Sequence, residues 1–250
     1  MGTKTCETNR ANGAAAPRIE IMKAGPYAVY GAPELRLQTI ETDEAGVARD
    51  FRPGRSFATR PEPVHLCRCG ASKNKPYCDG SHGKADWDPA LTAPHARRPE
   101  EVTSYEGPGV TLLDDEPYCV LARFCDAGEG IWQAVGHTDD PGVRKEVLRE
   151  AALCPGGRLK AIDKVEGRDP VGRSTELGLI EDPRMRASGG IRVLGAIPVI
   201  DPEGIAYEVR DRAVLCRCGQ SHNKPCCDGT HLRVHWQDGL AEPVAELAEV

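Results

Sequence analysis

Two stretches of the chain carry the same set of metal-binding side chains at the same spacing. Residues 67–82 read CRCGASKNKPYCDGSH and residues 216–231 read CRCGQSHNKPCCDGTH. Both follow the pattern Cys-x-Cys-x8-Cys-x3-His, and the candidate ligands are Cys67, Cys69, Cys78 and His82 in the first copy and Cys216, Cys218, Cys227 and His231 in the second. Thiolates and imidazoles are ligands for iron–sulfur clusters and for zinc.

The spacing favours two metal ions over one in each motif. Two cysteines one residue apart can reach a single iron from one extended turn. A cysteine and a histidine four residues apart lie on one face of a helical turn and can reach a second iron. We therefore expect a [2Fe–2S] cluster at each motif, with the hydroxyls of Ser72 and Ser221 donating hydrogen bonds to sulfur. The alternative is zinc held by the same ligands, although zinc motifs usually separate paired cysteines by two or more residues.

Both strings are similar to the CDGSH iron–sulfur (mitoNEET-like) family along the pattern Cys-x-Cys-x2-Ser-x3-Pro-x-Cys-Asp-Gly-(Ser/Thr)-His. Thr230 replaces the last serine in the second copy. The resemblance implies that each copy holds one [2Fe–2S] cluster near the surface through the three cysteines and the histidine named above. Two such motifs around a central segment also resemble a bacterial form of this family.

The repeat extends beyond the ligands and organises the chain. Trp87 and Trp236 each lie five residues after the motif histidine, and GPYAVYGAP (25–33) resembles GGIRVLGAIP (189–198) upstream. With 27 Gly, 20 Pro and only 5% aromatic residues, the composition predicts small cores and many turns. We expect a mainly β protein with short helices (small α+β). The predicted divisions are a disordered tail over 1–16, a first unit over 17–95, a middle segment over 96–184 and a second unit over 185–250.

Several local patterns position elements between the motifs. Residues 41–56 are predicted to form a hairpin or loop, and residues 109–114 a strand. A helix is predicted to begin at Pro141, capped by Asp139 or Asp140, and to end at the Cys-Pro-Gly-Gly sequence that starts at Cys154.

Three further cysteines lie in the middle segment. Cys119, Cys125 and Cys154 give a Cys-x5-Cys pair followed later by Cys-Pro, which is similar to three-cysteine bacterial ferredoxins and to divergent monocluster ferredoxin domains. That resemblance implies a third iron–sulfur cluster. The alternative is that these three cysteines are buried and structural.

Charge and hydropathy exclude several classes of protein. The formal net charge is −6 without a long basic run, which argues against nucleic acid as a partner. No apolar stretch approaches the roughly 18–20 residues that span a bilayer, and the first residues contain no apolar core of a signal peptide. Eleven cysteines, an odd number, fit metal ligation in a reducing compartment better than disulfides. We expect a cytoplasmic protein without a membrane partner.

The expected function is electron transfer or cluster transfer, as a carrier more than as an enzyme. The partners would be redox proteins or apo-protein cluster acceptors, and the two repeats could pair as a pseudo-dimer within the chain. Two alternatives remain open. One is a cluster-bearing component of an oxidoreductase, and the other is a zinc-stapled interaction module.

Overall fold

The computed structural model describes residues 16–58, 62–167 and 175–241. The predicted disordered tail lies outside these residues, apart from Ala16. The fold is mainly β with few short helices, which confirms the predicted class. The strands are β1 Arg18–Ile21, β2 Tyr27–Tyr30, β3 Glu34–Thr42, β4 Ala48–Ser56, β5 Val64–Leu66, β6 Thr103–Glu106, β7 Val110–Asp114, β8 Leu159–Asp163, β9 Glu176–Asp182, β10 Ala187–Leu194, β11 Val199–Ile200 and β12 Arg212–Leu215. The helices are α1 Ile131–Ala134, α2 Pro141–Leu153 and α3 Thr230–Arg233, with 3₁₀ turns at Ser81–Gly83, Pro99–Glu101, Glu116–Tyr118 and Val135–His137.

Two mixed sheets each combine strands from both ends of the chain. The first has the order β11-β1-β2-β5, and the second has the order β12-β10-β9-β3-β4. β1 pairs with β11 in parallel, with Ile19 opposite Val199, and β3 pairs with β9 in parallel, with Leu37 opposite Leu179. Each sheet therefore depends on strands that lie far away in the sequence. The predicted unit boundaries stay predictions, but β9, which precedes residue 185, is hydrogen-bonded to β10.

Burial explains the composition of these strands. All eight residues of β10 are buried, because β9 and β12 flank it and α3 packs on it. β4 lies at the sheet edge, where Pro53 is tolerated because an edge strand leaves some N–H groups unpaired. β3 and β4 form the hairpin predicted over residues 41–56. The main apolar cluster joins both sheets and includes Tyr27, Leu37, Leu179, Ile191 and Leu215.

The middle segment forms a small antiparallel sheet with the order β6-β7-β8. α1 and α2 cover it, and Leu112, Ile131 and Val147 are in the apolar cluster between them. α2 begins as predicted, because the Asp140 side chain accepts hydrogen bonds from the N–H groups of Gly142 and Val143. The predicted strand over residues 109–114 is also present, as β7.

Candidate metal centres

Each motif begins where a short strand ends. Cys67 directly follows β5, and Cys216 directly follows β12. The loop then returns to the same strand: the N–H of Cys67 donates to the Pro76 carbonyl at 2.9 Å, and the N–H of Cys78 donates to the His65 carbonyl at 2.8 Å. In the second copy, the equivalent bonds from Cys216 to Pro225 and from Cys227 to Val214 are both 2.8 Å long. Backbone pairing therefore brings the third cysteine next to the first two.

The eight predicted ligands occur as four close pairs. The Sγ atoms of Cys67 and Cys69 are 3.8 Å apart, and those of Cys216 and Cys218 are 3.7 Å apart. The Sγ of the third cysteine lies 3.3 Å from Nδ1 of the motif histidine in both copies, which gives the pairs Cys78–His82 and Cys227–His231. Across residues 16–58, 62–167 and 175–241, no group of three or more His, Cys, Asp or Glu side chains converges as a single metal ion requires.

An aspartate shapes the turn that carries each histidine. Asp79 accepts hydrogen bonds from the N–H groups of Lys73, at 2.8 Å, and of Ser81, at 2.9 Å. Asp228 does the same for His222 and Thr230, at 2.8 and 3.0 Å. Burial opposes ionisation of Asp228, but hydrogen bonds from His222 and Thr230 outweigh it and lower the pKa of Asp228 to about 2.

The helical turn is shorter than predicted. It begins after the motif glycine, at Ser81 in the first copy and at Thr230 in the second. The cysteine therefore precedes the turn instead of sharing it with the histidine. The glycine between them adopts the left-handed conformation, with φ of 85° at Gly80 and 80° at Gly229, and this bend brings the two ligands together.

Backbone amides, not serine hydroxyls, provide the hydrogen bonds to sulfur. The N–H of Ala71 lies 3.4 Å from Cys69 Sγ, and the N–H of Gln220 lies 3.5 Å from Cys218 Sγ. The prediction for the serines was wrong, because the Ser72 hydroxyl donates to the Tyr77 carbonyl and the Ser221 hydroxyl to the Cys226 carbonyl. Each hydroxyl has a closer carbonyl acceptor within its own loop, and it stabilises the loop that holds the ligands.

The two cysteines of each Cys-x-Cys pair have shifted pKa values. In the first copy, the hydrogen bond from Cys67 lowers the pKa of Cys69 to about 6. In the second, the hydrogen bond from Cys218 lowers the pKa of Cys216 to about 6. The hydrogen bond within each pair therefore favours the thiolate of one cysteine and the thiol of the other. Burial, followed by the charge of Arg217, lowers the pKa of His231 to about 4, so its imidazole is neutral and able to ligate a metal.

Buried arginines beneath the two sites were not singled out from the sequence. Arg68 is 2% exposed, donates to the carbonyls of Gly25 and Pro89, and lies over the Trp87 ring. Arg217 is 3% exposed and also forms ion pairs with Glu181 and Asp238. The sequence does contain a signal for these arginines, because an arginine lies between the paired cysteines in both copies. The charge of Arg68 partly balances the thiolates of Cys69 and Cys216, whereas the charge of Arg217 is already offset by its two carboxylates.

The two Cys-x-Cys loops lie against each other. A Cβ added at Gly70 would overlap the carbonyl of Cys218, and a Cβ added at Gly219 would overlap the carbonyl of Cys69. The Tyr27 hydroxyl also donates to the Cys216 carbonyl at 2.8 Å, which connects the first unit to the second site. The two candidate metal sites are therefore neighbours within one chain.

The middle segment brings its three cysteines around one space. Cys119, Cys125 and Cys154 line a cavity of about 140 Å³, with Phe124 and Trp132 among the other lining residues. All three cysteines are half-buried, and Cys125 and Cys154 pack against the apolar cluster of the middle segment, so both predictions for them stay open. Burial raises the pKa of Cys125, and it also raises the pKa of Cys154.

Each of the two copies of the strand, loop and turn carries four candidate ligands, arranged as two pairs. This repeated arrangement is typical of a duplicated metal-binding protein. The family model described as iron-binding zinc finger, CDGSH type, matches residues 24–83 and residues 188–232. Two regions of the chain thus match the CDGSH-type iron-binding domain, a domain type that binds [2Fe–2S] clusters. No curated protein and no solved structure gives a significant match. None of the helices in the described parts of the chain is long and apolar enough to cross a membrane.

Proposed function

We propose that this protein holds two [2Fe–2S] clusters and works as an electron carrier or cluster carrier. The ligands are Cys67, Cys69, Cys78 and His82 at the first site and Cys216, Cys218, Cys227 and His231 at the second. The ten cysteines in the described residues are all free thiols, which suits a reducing compartment such as the cytoplasm.

The observation that carries this proposal is the pairing of the ligands. A structural zinc ion needs four ligands converging on one point. Each site instead offers a Cys–Cys pair and a Cys–His pair, with separations of 3.3–3.8 Å within the pairs. Two pairs suit two irons bridged by sulfide, in which each iron takes two protein ligands.

The residues around each site suit this chemistry. A bound [2Fe–2S] cluster would supply one-electron redox chemistry. Backbone N–H groups directed at sulfur favour the thiolate form that a cluster requires. An imidazole ligand replaces one negative thiolate, so the ligand set is less negative than four cysteines, and the charge of Arg68 reduces it further.

Metal and sulfide analysis tests the proposal. Protein purified without oxygen should be red-brown, with iron and acid-labile sulfide each at about four per chain. Cys78→Ala and Cys227→Ala should each remove about half of both. Cys226→Ala is the matched control, because Cys226 neighbours a ligand but packs against the apolar core. Colourless protein with about two zinc ions would contradict the proposal and favour the zinc-stapled module.

A transfer experiment separates the two carrier roles. Incubation with an apo-ferredoxin moves iron and sulfide to the acceptor only if the cluster leaves this protein. Electron exchange with a reduced ferredoxin, with iron retained here, would indicate an electron carrier instead.

The three-cysteine cavity favours a second candidate function, in which a third iron–sulfur cluster makes the protein a component of an electron relay. Cys119, Cys125 and Cys154 come from separate parts of the middle segment but face one space of about 140 Å³. Arg158 and Leu159 line the same space. Thiolates are the ligands that iron would take here, and because burial raises the pKa of Cys125 and Cys154, they would form as the metal binds.

Iron counting tests this second candidate. Iron beyond about four per chain, lost in Cys125→Ala and retained in the Cys226→Ala control, would support it. If Cys125→Ala leaves the iron content unchanged, the three cysteines are structural.

A further inference from the structure

The two CDGSH-type sites differ in how far solvent reaches their Cys–His pair. In the second site, Cys227 is 2% exposed and His231 is 5% exposed. In the first site, Cys78 and His82 are only half-buried, and Gly80 and Gly83 beside them are exposed. Because the two motifs have the same backbone hydrogen bonds, the difference arises from what packs on them.

Residues 119–125, which we call the covering segment, lie over the second site. A Cβ added at Gly229 would be 2.7 Å from Leu121 side-chain atoms, whereas a Cβ added at the equivalent Gly80 would have no atom within 4 Å among the described residues. Cys227 itself belongs to an apolar cluster with Val120, Ala122 and Phe124 of the covering segment. The Cys–His pair of the second site is therefore enclosed by the middle segment.

Specific contacts hold the covering segment in place. Arg123 forms a bidentate ion pair with the buried Asp182, at 2.7 and 3.2 Å. The Phe124 ring packs against Phe51, with 4.8 Å between the ring centroids. Leu121 and Arg123 adopt φ values of 58° and 63°, which are unfavourable for residues other than glycine. These contacts with Asp182 at the end of β9 and with Phe51 of β4 hold the segment in this backbone conformation.

We propose that the two sites have different roles: the first exchanges its cluster with partner proteins, and the second, closed by the covering segment, retains its own. This inference rests on the proposed function. The exchange moves an intact cluster from Cys67, Cys69, Cys78 and His82 to the thiolates of an apo-protein acceptor. Iron and sulfide keep their oxidation states, the acceptor thiols release protons, and the vacated ligands take protons from solvent.

Cluster loss from the anaerobic full-length protein tests the difference between the sites. With excess apo-ferredoxin, the visible absorbance should decay in two phases of similar amplitude, with rates that differ by about tenfold or more. Cys78→Ala should abolish the fast phase and leave the slow phase. A single phase in the unaltered protein, or a fast phase that survives Cys78→Ala, would overturn the proposal.

Leu121→Gly tests the role of the covering segment. The change removes the side chain above Gly229 and places glycine at a positive φ, so the backbone is relieved rather than strained. The slow phase should accelerate about fivefold or more, while the fast phase is unchanged. Ala196→Gly is the matched control, because Ala196 also has a positive φ, of 56°, but is exposed and outside the covering segment. If both variants keep the original slow phase, the segment does not close the second site.

Hydrogen–deuterium exchange supplies a readout that does not depend on transfer. Amides of residues 229–233 should exchange about tenfold or more slowly than those of residues 80–84. Equal exchange in protein that contains both clusters would contradict this inference and leave the proposed function intact. Protein without iron and sulfide would contradict the proposed function, whatever the exchange rates.

Discussion

On the proposed function, the histidine in each site should set how the site responds to electrons and protons. In both copies Nδ1 faces the cysteine sulfur at 3.3 Å, so Nδ1 is the nitrogen positioned to ligate iron and Nε2 is left for protons. Sites with two histidines reach roughly −150 to +300 mV, whereas plant-type four-cysteine sites lie near about −400 mV. One histidine should give a potential between these ranges.

Replacing the histidines with cysteine tests this assignment. His82→Cys and His231→Cys should each keep a cluster but lower its potential, because a thiolate adds negative charge. The double variant should also lose the pH dependence of the potential, which in the unaltered protein should be at most about 60 mV per pH unit. Spectroelectrochemical titration at several pH values measures both effects. A pH-dependent potential in the double variant would show that another group takes the proton.

Glu150 is a buried carboxylic acid on α2. It is 2% exposed, and its Oε2 has no hydrogen-bond partner in the described structure. Burial, followed by the charge of Glu146, raises the pKa of Glu150 from 4.5 to about 7. Since this pKa is higher in the folded than in the unfolded chain, stability is lost as the pH rises from 4.5 towards 7.

Glu150→Gln should remove this pH dependence. Above neutral pH the variant should be more stable by about 1–3 kcal/mol, whereas at about pH 5 it should match the unaltered protein. Melting temperatures at the two pH values provide the measurement. Glu146→Gln is the contrasting variant: it removes the second cause of the raised pKa, so the pH-dependent loss of stability at Glu150 should become smaller but persist, because the burial remains. A stabilising effect of Glu150→Gln that is the same at both pH values would contradict the argument.

The loops that carry the ligands are held by contacts between the two copies as well as within them. Gly70 and Gly219 both adopt a positive φ, 78° and 79°, and each faces a carbonyl of the other loop. Gly80 also has a positive φ, of 85°, but faces open space. These glycines separate two effects, backbone strain and close approach.

Gly70→Ala should therefore be more harmful than Gly80→Ala. Both add a side chain at a left-handed position, which costs about 1–2 kcal/mol. Only Gly70→Ala also pushes against the second loop, so it should lower the melting temperature further and alter the absorption of both clusters. Equal losses in the two variants would show that the loops do not press on each other.

Short-range sequence patterns predicted the elements around the sites, but the sequence did not predict which distant strands pair with each other. The Asp140 cap with Pro141 predicted α2, and the ligand spacing predicted the pairs, because both depend on residues a few positions apart. The parallel pairing of β1 with β11 joins residues about 180 positions apart, and such contacts leave no local pattern. The position of residues 119–125 over the second site depends on the same long-range packing.

The whole molecule is held together by strands exchanged between its two halves. β11 extends the sheet of the first unit, while β3 and β4 extend the sheet of the second. One apolar cluster contains residues from both halves, namely Ile19 of β1, Leu37 of β3, Leu179 of β9 and Val199 of β11. Neither half has a complete sheet without the other.

A truncated chain tests this dependence. Residues 175–250 alone keep β9 to β12 but lose β3, β4 and the covering segment. We expect this fragment to lack cooperative unfolding and to hold less than about one iron per chain, because its sheet edge and apolar face are uncovered. Circular dichroism with iron analysis measures both. A fragment that folds and keeps a full cluster would show that the second unit is autonomous.

The most direct test of the paired ligands is the Mössbauer spectrum of protein grown with ⁵⁷Fe. Each site should contain one iron held by two thiolates and one held by a thiolate and an imidazole. The oxidised protein should therefore show two quadrupole doublets of equal area, and in the His82→Cys/His231→Cys double variant they should merge into one. A spectrum without paired ferric sites, or protein that takes up zinc and no iron, would contradict the account.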